Sequence, residues 1–86
     1  MEIQKATTLL DIDLRSVIDK VRRRYGLRLP TRVIMADYDD KEGDLYIRFR
    51  EGNHPEGEPT GDGLVIVHRG QGRIVGIEIL DLAKLG

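Results

Sequence analysis

The chain has 86 residues, 40% of them hydrophobic and 34% charged, with no cysteine and a net charge of −1. That is material for one small domain, residues 1–86, with a thin core, and it excludes disulfides and thiolate metal sites. The longest apolar run, LVIV at 64–67, is far short of a membrane span, and MEIQKATTLL lacks the basic start and apolar run of a signal peptide, so a cytoplasmic protein without membrane contact is expected.

The near-neutral total conceals an asymmetry. Residues 15–32 hold seven basic residues (Arg15, Lys20, Arg22, Arg23, Arg24, Arg28, Arg32) against one acid, Asp19. Residues 33–63 hold nine acids against three bases. The two stretches either attract each other or present a basic and an acidic face to partners.

In chain order, residues 1–10 have no clear period and read as a frayed arm. Residues 11–25 read as an amphipathic helix, with Leu10, Leu14, Val17, Ile18, Val21 and Tyr25 on one stripe. Asp11 or Asp13 caps its start, and Gly26 ends it in a left-handed conformation. Pro30 prevents continuation. From residue 31 the period becomes two. RVIMADY (32–38) is a first strand, DKEGD (40–44) a turn, and LYIRFR (45–50) a second strand. Residues 51–63, with four glycines and two prolines, read as a mobile loop. LVIVHR (64–69) and RIVGIEIL (73–80) form a hairpin about the glycine turn GQG, and 81–86 holds about one helical turn.

The expected fold is therefore α+β: an N-terminal amphipathic helix packed on a four-stranded antiparallel β-meander spanning 31–80. Leu45, Ile47, Phe49, Val75, Ile77 and Ile79 form the face under the helix. If the last strand is regular, Glu78 lies on the other face beside Arg48 and Arg50, and Gly76 either makes room for Tyr46 or marks a bulge. In the order 1-2-3-4 the strand 73–80 is an edge with neither Lys nor Pro, which predicts a homodimer or a partner adding a strand there. The long 51–63 segment offers the alternative of placing that strand inside the sheet.

YDDKEGDLYIRFREG followed by GDGLVIVHRGQGRIVGIEILDLAK resembles the small prokaryotic proteins of domain-of-unknown-function family twenty-two eighty-three. Tyr38, Asp39, Asp44, Leu45, Tyr46, Ile47 and Arg48 match its first motif. Asp62, Gly63, Val65, Val67, Gly72, Arg73, Gly76, Ile77, Glu78, Ile79, Leu80 and Asp81 match its second. The chain departs at His68, where the family usually has Asp, and at Leu82, where it usually has Ala. The resemblance implies the β-meander and no established activity. The proximity of some members to toxin-like ribonuclease genes implies an antitoxin-like role.

Several motifs are ruled against by spacing. DYDDKEGD fails the calcium-loop pattern, because Lys41 takes the fifth position and Gly43 the seventh. His54 and His68 lack a fixed metal-ligand spacing. GQGRIVG enters a strand rather than a helix, so it is no phosphate loop. Ser16 is the lone serine and sits mid-helix, so no nucleophile is in evidence; a carboxylate pair such as Asp44 and Glu78 is the remaining acid–base candidate. Neither a cofactor nor a metal is expected. Three functions stay open: a non-enzymatic interaction module that neutralises a basic partner; a nucleic-acid-binding protein using Arg15, Lys20, Arg22, Arg23, Arg24 and Arg28; and a small carboxylate enzyme.

Overall fold

The computed structural model describes residues 8–53 and 56–86. It contains α1 (Leu14–Tyr25) and five strands: β1 (Met35–Asp39), β2 (Asp44–Arg48), β3 (Glu56–Pro59), β4 (Val65–Gly70) and β5 (Arg73–Ile79). A short 3-10 turn lies at each end, Leu9–Asp11 and Leu82–Leu85.

The helix begins three residues later than its apolar stripe suggests. Asp11 N–H donates to the Thr8 carbonyl at 2.9 Å while Thr8 N–H donates to the Asp11 carboxylate at 3.2 Å, closing a separate turn. Residues 8–11 are thus ordered rather than frayed, and residues 1–7 of the expected arm lie outside the described residues. Leu10 is 97% exposed and plays no part in the stripe. Asp13 then caps α1 by accepting the Ser16 N–H at 3.2 Å. Gly26 stops it at φ 66°, donating its N–H to the Arg22 carbonyl.

The sheet is fully antiparallel in the order β1-β2-β5-β4-β3, which corrects the four-stranded meander. β1 and β2 form one hairpin, and β3, β4 and β5 form a three-stranded meander. After β2 the chain resumes at the far edge with β3, so that β5 returns to pair with β2. The strand expected at an edge is therefore central. The missed strand, β3, lies within the stretch read as a mobile loop. Its sequence, EGEP, has little strand propensity and is held by pairing with β4; Pro59 is tolerated because β3 is an edge. His54, one of the two histidines weighed as a ligand, lies outside the described residues.

One core forms between α1 and the sheet. Val17, Ile18 and Val21 of the helix meet Leu45, Ile47, Phe49, Val65, Val67, Ile77 and Ile79, with Leu29 and Leu85 closing the ends. The expected register of β5 fails at one residue. His68 pairs with Gly76 but Arg69 pairs with Ile74, so Val75 is an extra residue in β5. Both Phe49 N–H and Arg50 N–H donate to its carbonyl. The bulge reverses the faces beyond it: Ile74 packs against the core, while Val75 is buried but outside the core cluster.

The β4–β5 turn is tight because Gln71 (φ 54°) and Gly72 (φ 78°) are both left-handed. Gly70 serves differently: the Asn53 carbonyl occupies the place a Cβ would take.

Phe49 is 3% exposed within the core cluster. Phe49→Ala is expected to lower unfolding free energy by about 3–5 kcal/mol, read from the shift in denaturant midpoint. An unchanged midpoint would show that Phe49 does not face the helix.

Candidate functional site

The sheet face away from α1 is built of two rows that run across the strands. One row carries Asp37, Tyr46, Glu78 and Ile66 from β1, β2, β5 and β4. The next carries Met35, Arg48, Gly76, His68 and Gly57. Glycines thus alternate with large side chains in the second row, and the neighbours fill the gaps. A Cβ on Gly76 would lie 2.8 Å from the Ile47 carbonyl and 3.1 Å from the Tyr46 hydroxyl. A Cβ on Gly57 would lie 2.9 Å from Ile66 and 3.1 Å from the His68 ring. Tyr46 therefore lies over Gly76, and its ring meets His68 edge-on at 5.8 Å and 78°. Gly76 both makes that room and adjoins the bulge, so the two expectations for it hold together.

Glu78 differs from expectation in its neighbours. Its carboxylate lies 3.8 Å from His68 Nε2, and the Asp44 carboxyl hydrogen-bonds to it. Arg48 runs along its own strand end, donating from Nε to the Arg50 carbonyl at 2.8 Å and from Nη2 to the Gly52 carbonyl. Arg50 has left this face, because the chain bends around the Val75 bulge immediately after β2.

The expected carboxylate pair is thus brought together. Partial burial pushes the Asp44 carboxyl up from its ordinary 3.8 to about 6, and so do the Glu78 hydrogen bond and charge and the charges of Asp39 and Asp37. Asp39 is held in the β1–β2 turn, where its carboxylate accepts the Lys41 N–H at 3.0 Å and the Glu42 N–H at 3.3 Å. Among the described residues no cluster of three His, Asp or Glu side chains is placed to hold a metal ion.

The family comparison covers this face. Residues 34–82 match the family model described as "Protein of unknown function (DUF2283)". The chain belongs to this family. No curated protein and no solved structure matches it. The DUF2283 segment runs from the residue before β1 to the first residue of the C-terminal 3-10 turn, so α1 lies outside it. Tyr38, Asp39, Asp44, Tyr46, Arg48, Gly76 and Glu78 all fall within it. Of these, Tyr38 packs against the core, and the others build the open face or its turn.

The basic residues singled out on and after the helix divide by task. Arg22 donates to the Leu29 carbonyl at 2.8 Å and pairs with Asp19 at 3.4 Å, bracing the chain after the helix. Arg24 donates to the Leu85 carbonyl at 3.2 Å and to Asp62 at 3.1 Å. Tyr25 donates to the same Asp62 carboxylate oxygen at 2.9 Å, while the other oxygen accepts from Leu64 N–H and Thr60 Oγ1. The Leu64 and Thr60 hydrogen bonds, with those of Tyr25 and the Arg24 charge, hold Asp62 well below the usual carboxylate range. Burial, then the bond to Asp62, raises the Tyr25 hydroxyl. Asp62 of the DUF2283 segment is therefore a clamp between the β3–β4 turn and the end of α1. Arg15 and Arg23 are exposed and Lys20 half-exposed on the helix surface.

Arg28 belongs elsewhere. It lines a cleft of about 410 Å³ with Arg50, Arg69 and Arg73. The last three also line an adjoining cleft of about 570 Å³. Sequence reading missed this group because its members are scattered along the chain from Arg28 to Arg73. The visible signal was RGQGR, which brackets one hairpin turn with Arg69 and Arg73.

Two outcomes test the face. Gly76→Ala should destabilise the fold, since its methyl meets backbone on one side and the Tyr46 ring on the other; Gly76→Ala with Tyr46→Ala should recover only the ring's share, because the Ile47 carbonyl still blocks the methyl. The Asp44 carboxyl binds its proton more tightly folded than unfolded, so stability falls as pH rises from about 4 to about 6. Asp44→Asn should therefore raise Tm above pH 6 and leave it nearly unchanged below pH 4. A Tm gain equal at both pH values would contradict the raised carboxyl.

Proposed function

We propose that this DUF2283 protein is a small non-enzymatic interaction module whose open sheet face docks a basic segment of a partner protein. The observation that supports this reading is the Asp44 carboxyl, raised to about 6 first by partial burial and then by the neighbouring acids Glu78, Asp39 and Asp37. Carboxylates crowded in this way repel one another, and a guanidinium or ammonium from outside relieves that repulsion. Tyr46, lying over Gly76, supplies a rigid aromatic surface beside the acids, of the type that anchors protein interfaces. The antitoxin-like role implied by the family resemblance is one form of the same reading, with a basic toxin-like protein as the partner.

The carboxylate pair also supports an acid–base enzyme, but less well. Asp44 and Glu78 stand on a pleated surface open to water, without walls to orient a substrate.

Titration of isotope-labelled protein with an Arg/Lys-rich peptide at about pH 7.5 is expected to shift the amide signals of Asp37, Asp44, Tyr46 and Glu78 first. Asp44→Asn with Glu78→Gln should weaken binding about tenfold, the equivalent of about 1.4 kcal/mol. The parent protein should bind more weakly at about pH 5, where Asp44 is protonated. Shifts elsewhere on the surface, or equal affinity in the double variant, would refute the reading.

A further inference from the structure

We propose that Arg28, Arg50, Arg69 and Arg73 form a second site, separate from the acidic face, that binds the phosphate backbone of a nucleic-acid strand without reading its sequence. Four arginines, from the α1–β1 linker, the segment after β2 and the two sides of the β4–β5 turn, line two adjoining clefts of about 570 and 410 Å³. Arg50, Arg69 and Arg73 line both clefts, so they form the ridge between them.

Like charges gathered in this way repel and need counter-charge. Among the described residues, no carboxylate lies within ion-pair distance of Arg28, Arg50 or Arg73. Arg69 is paired with Glu58 at 3.4 Å, but the Glu58 side chain is 73% exposed and such a pair yields readily to a stronger anion. Among the described residues Glu51 is the one acid lining the larger cleft. The backbone holds the arrangement in place: left-handed Gln71 and Gly72 close the turn between Arg69 and Arg73, and the Val75 bulge turns Arg50 toward them.

The shape favours a chain of phosphates over one phosphate, because a ridge of three arginines faces two clefts at once. It favours a nucleic acid over an acidic protein, because a strand's phosphates supply a dense, regular run of anions to match the row of guanidinium groups; the rest of the lining mixes glycine, asparagine and glutamine with Leu27, Pro30, Ile74 and Val75. Among the described residues neither cleft has an aromatic side chain in its lining to stack on bases, so the contact assigned here is to the backbone. This moves the nucleic-acid reading away from the helix: Arg22 and Arg24 are occupied in holding the fold, and only Arg28 of that set joins the clefts.

Fluorescence anisotropy with a labelled mixed-sequence single strand of about a dozen nucleotides tests the site. Binding at low salt is expected, with log K falling against log salt at a slope of about −2 to −3, since each neutralised phosphate contributes about −0.7. Arg50→Gln with Arg73→Gln, both exposed positions whose folding is checked by circular dichroism, should weaken binding at least tenfold and reduce the slope by about 1.4. Arg15→Gln with Arg23→Gln should leave it unchanged. Inorganic phosphate should compete weakly, and poly-glutamate of equal charge less well than unlabelled strand. No binding at low salt, loss in the helix variant rather than the cleft variant, or poly-glutamate competing as well as the strand would each overturn the site.

Discussion

Hydrogen bonding to β5 on both sides is the constraint from which the arrangement follows. Leu45 to Arg48 pair with one edge of this strand and Val65 to Gly70 with the other. That double pairing puts Ile77 and Ile79, both fully buried, at the centre of the core under Val17, Ile18 and Val21. It also fixes which side chains share the open face, since Glu78 is brought between Tyr46 and Ile66, and Gly76 between Arg48 and His68. A slip of one residue would exchange the two faces and expose the isoleucines.

The same pairing separates the charges. β2 runs antiparallel to β5, so Asp44 and the β1–β2 turn meet the Ile79 end, while Arg50, Arg69 and Arg73 gather at the Arg73 end. The acids and the arginines therefore lie at opposite ends of the central strand rather than neutralising one another. Three acids depart from this separation: Asp62 is drawn to Arg24 and Tyr25 to fasten the helix, Asp19 pairs with Arg22, and the exposed Glu58 pairs with Arg69. Under the two proposals made above, the acidic end and the basic end would each take a partner of different chemistry.

Much of this was legible in the sequence where the determinant was local. The Gly26 cap, the alternation of Leu45, Ile47 and Phe49, the β4–β5 hairpin and the fit of Tyr46 against Gly76 all depend on neighbours in the chain or on side-chain period. β3 was not legible, because EGEP has no strand preference of its own and forms by pairing with β4. The position of β5 was not legible either: once the chain between β2 and β4 is long, sequence order no longer dictates spatial order, and its lack of Lys and Pro reflects a central strand as well as an unprotected edge. The Val75 bulge moved Ile74 into the core and Arg50 out of reach of Glu78, which alternation alone does not encode. The acidic face could be read in outline from Asp44 and Glu78, whereas the arginine clefts required the folded chain.

Amide hydrogen exchange along β5 tests the central position of that strand most directly. With β2 on one side and β4 on the other, the consecutive amides of Ile77, Glu78 and Ile79 should all be protected, with opening free energies near that of global unfolding. Protection that alternates, with every second amide exchanging rapidly, would show that β5 has one free edge and would contradict the fold described here.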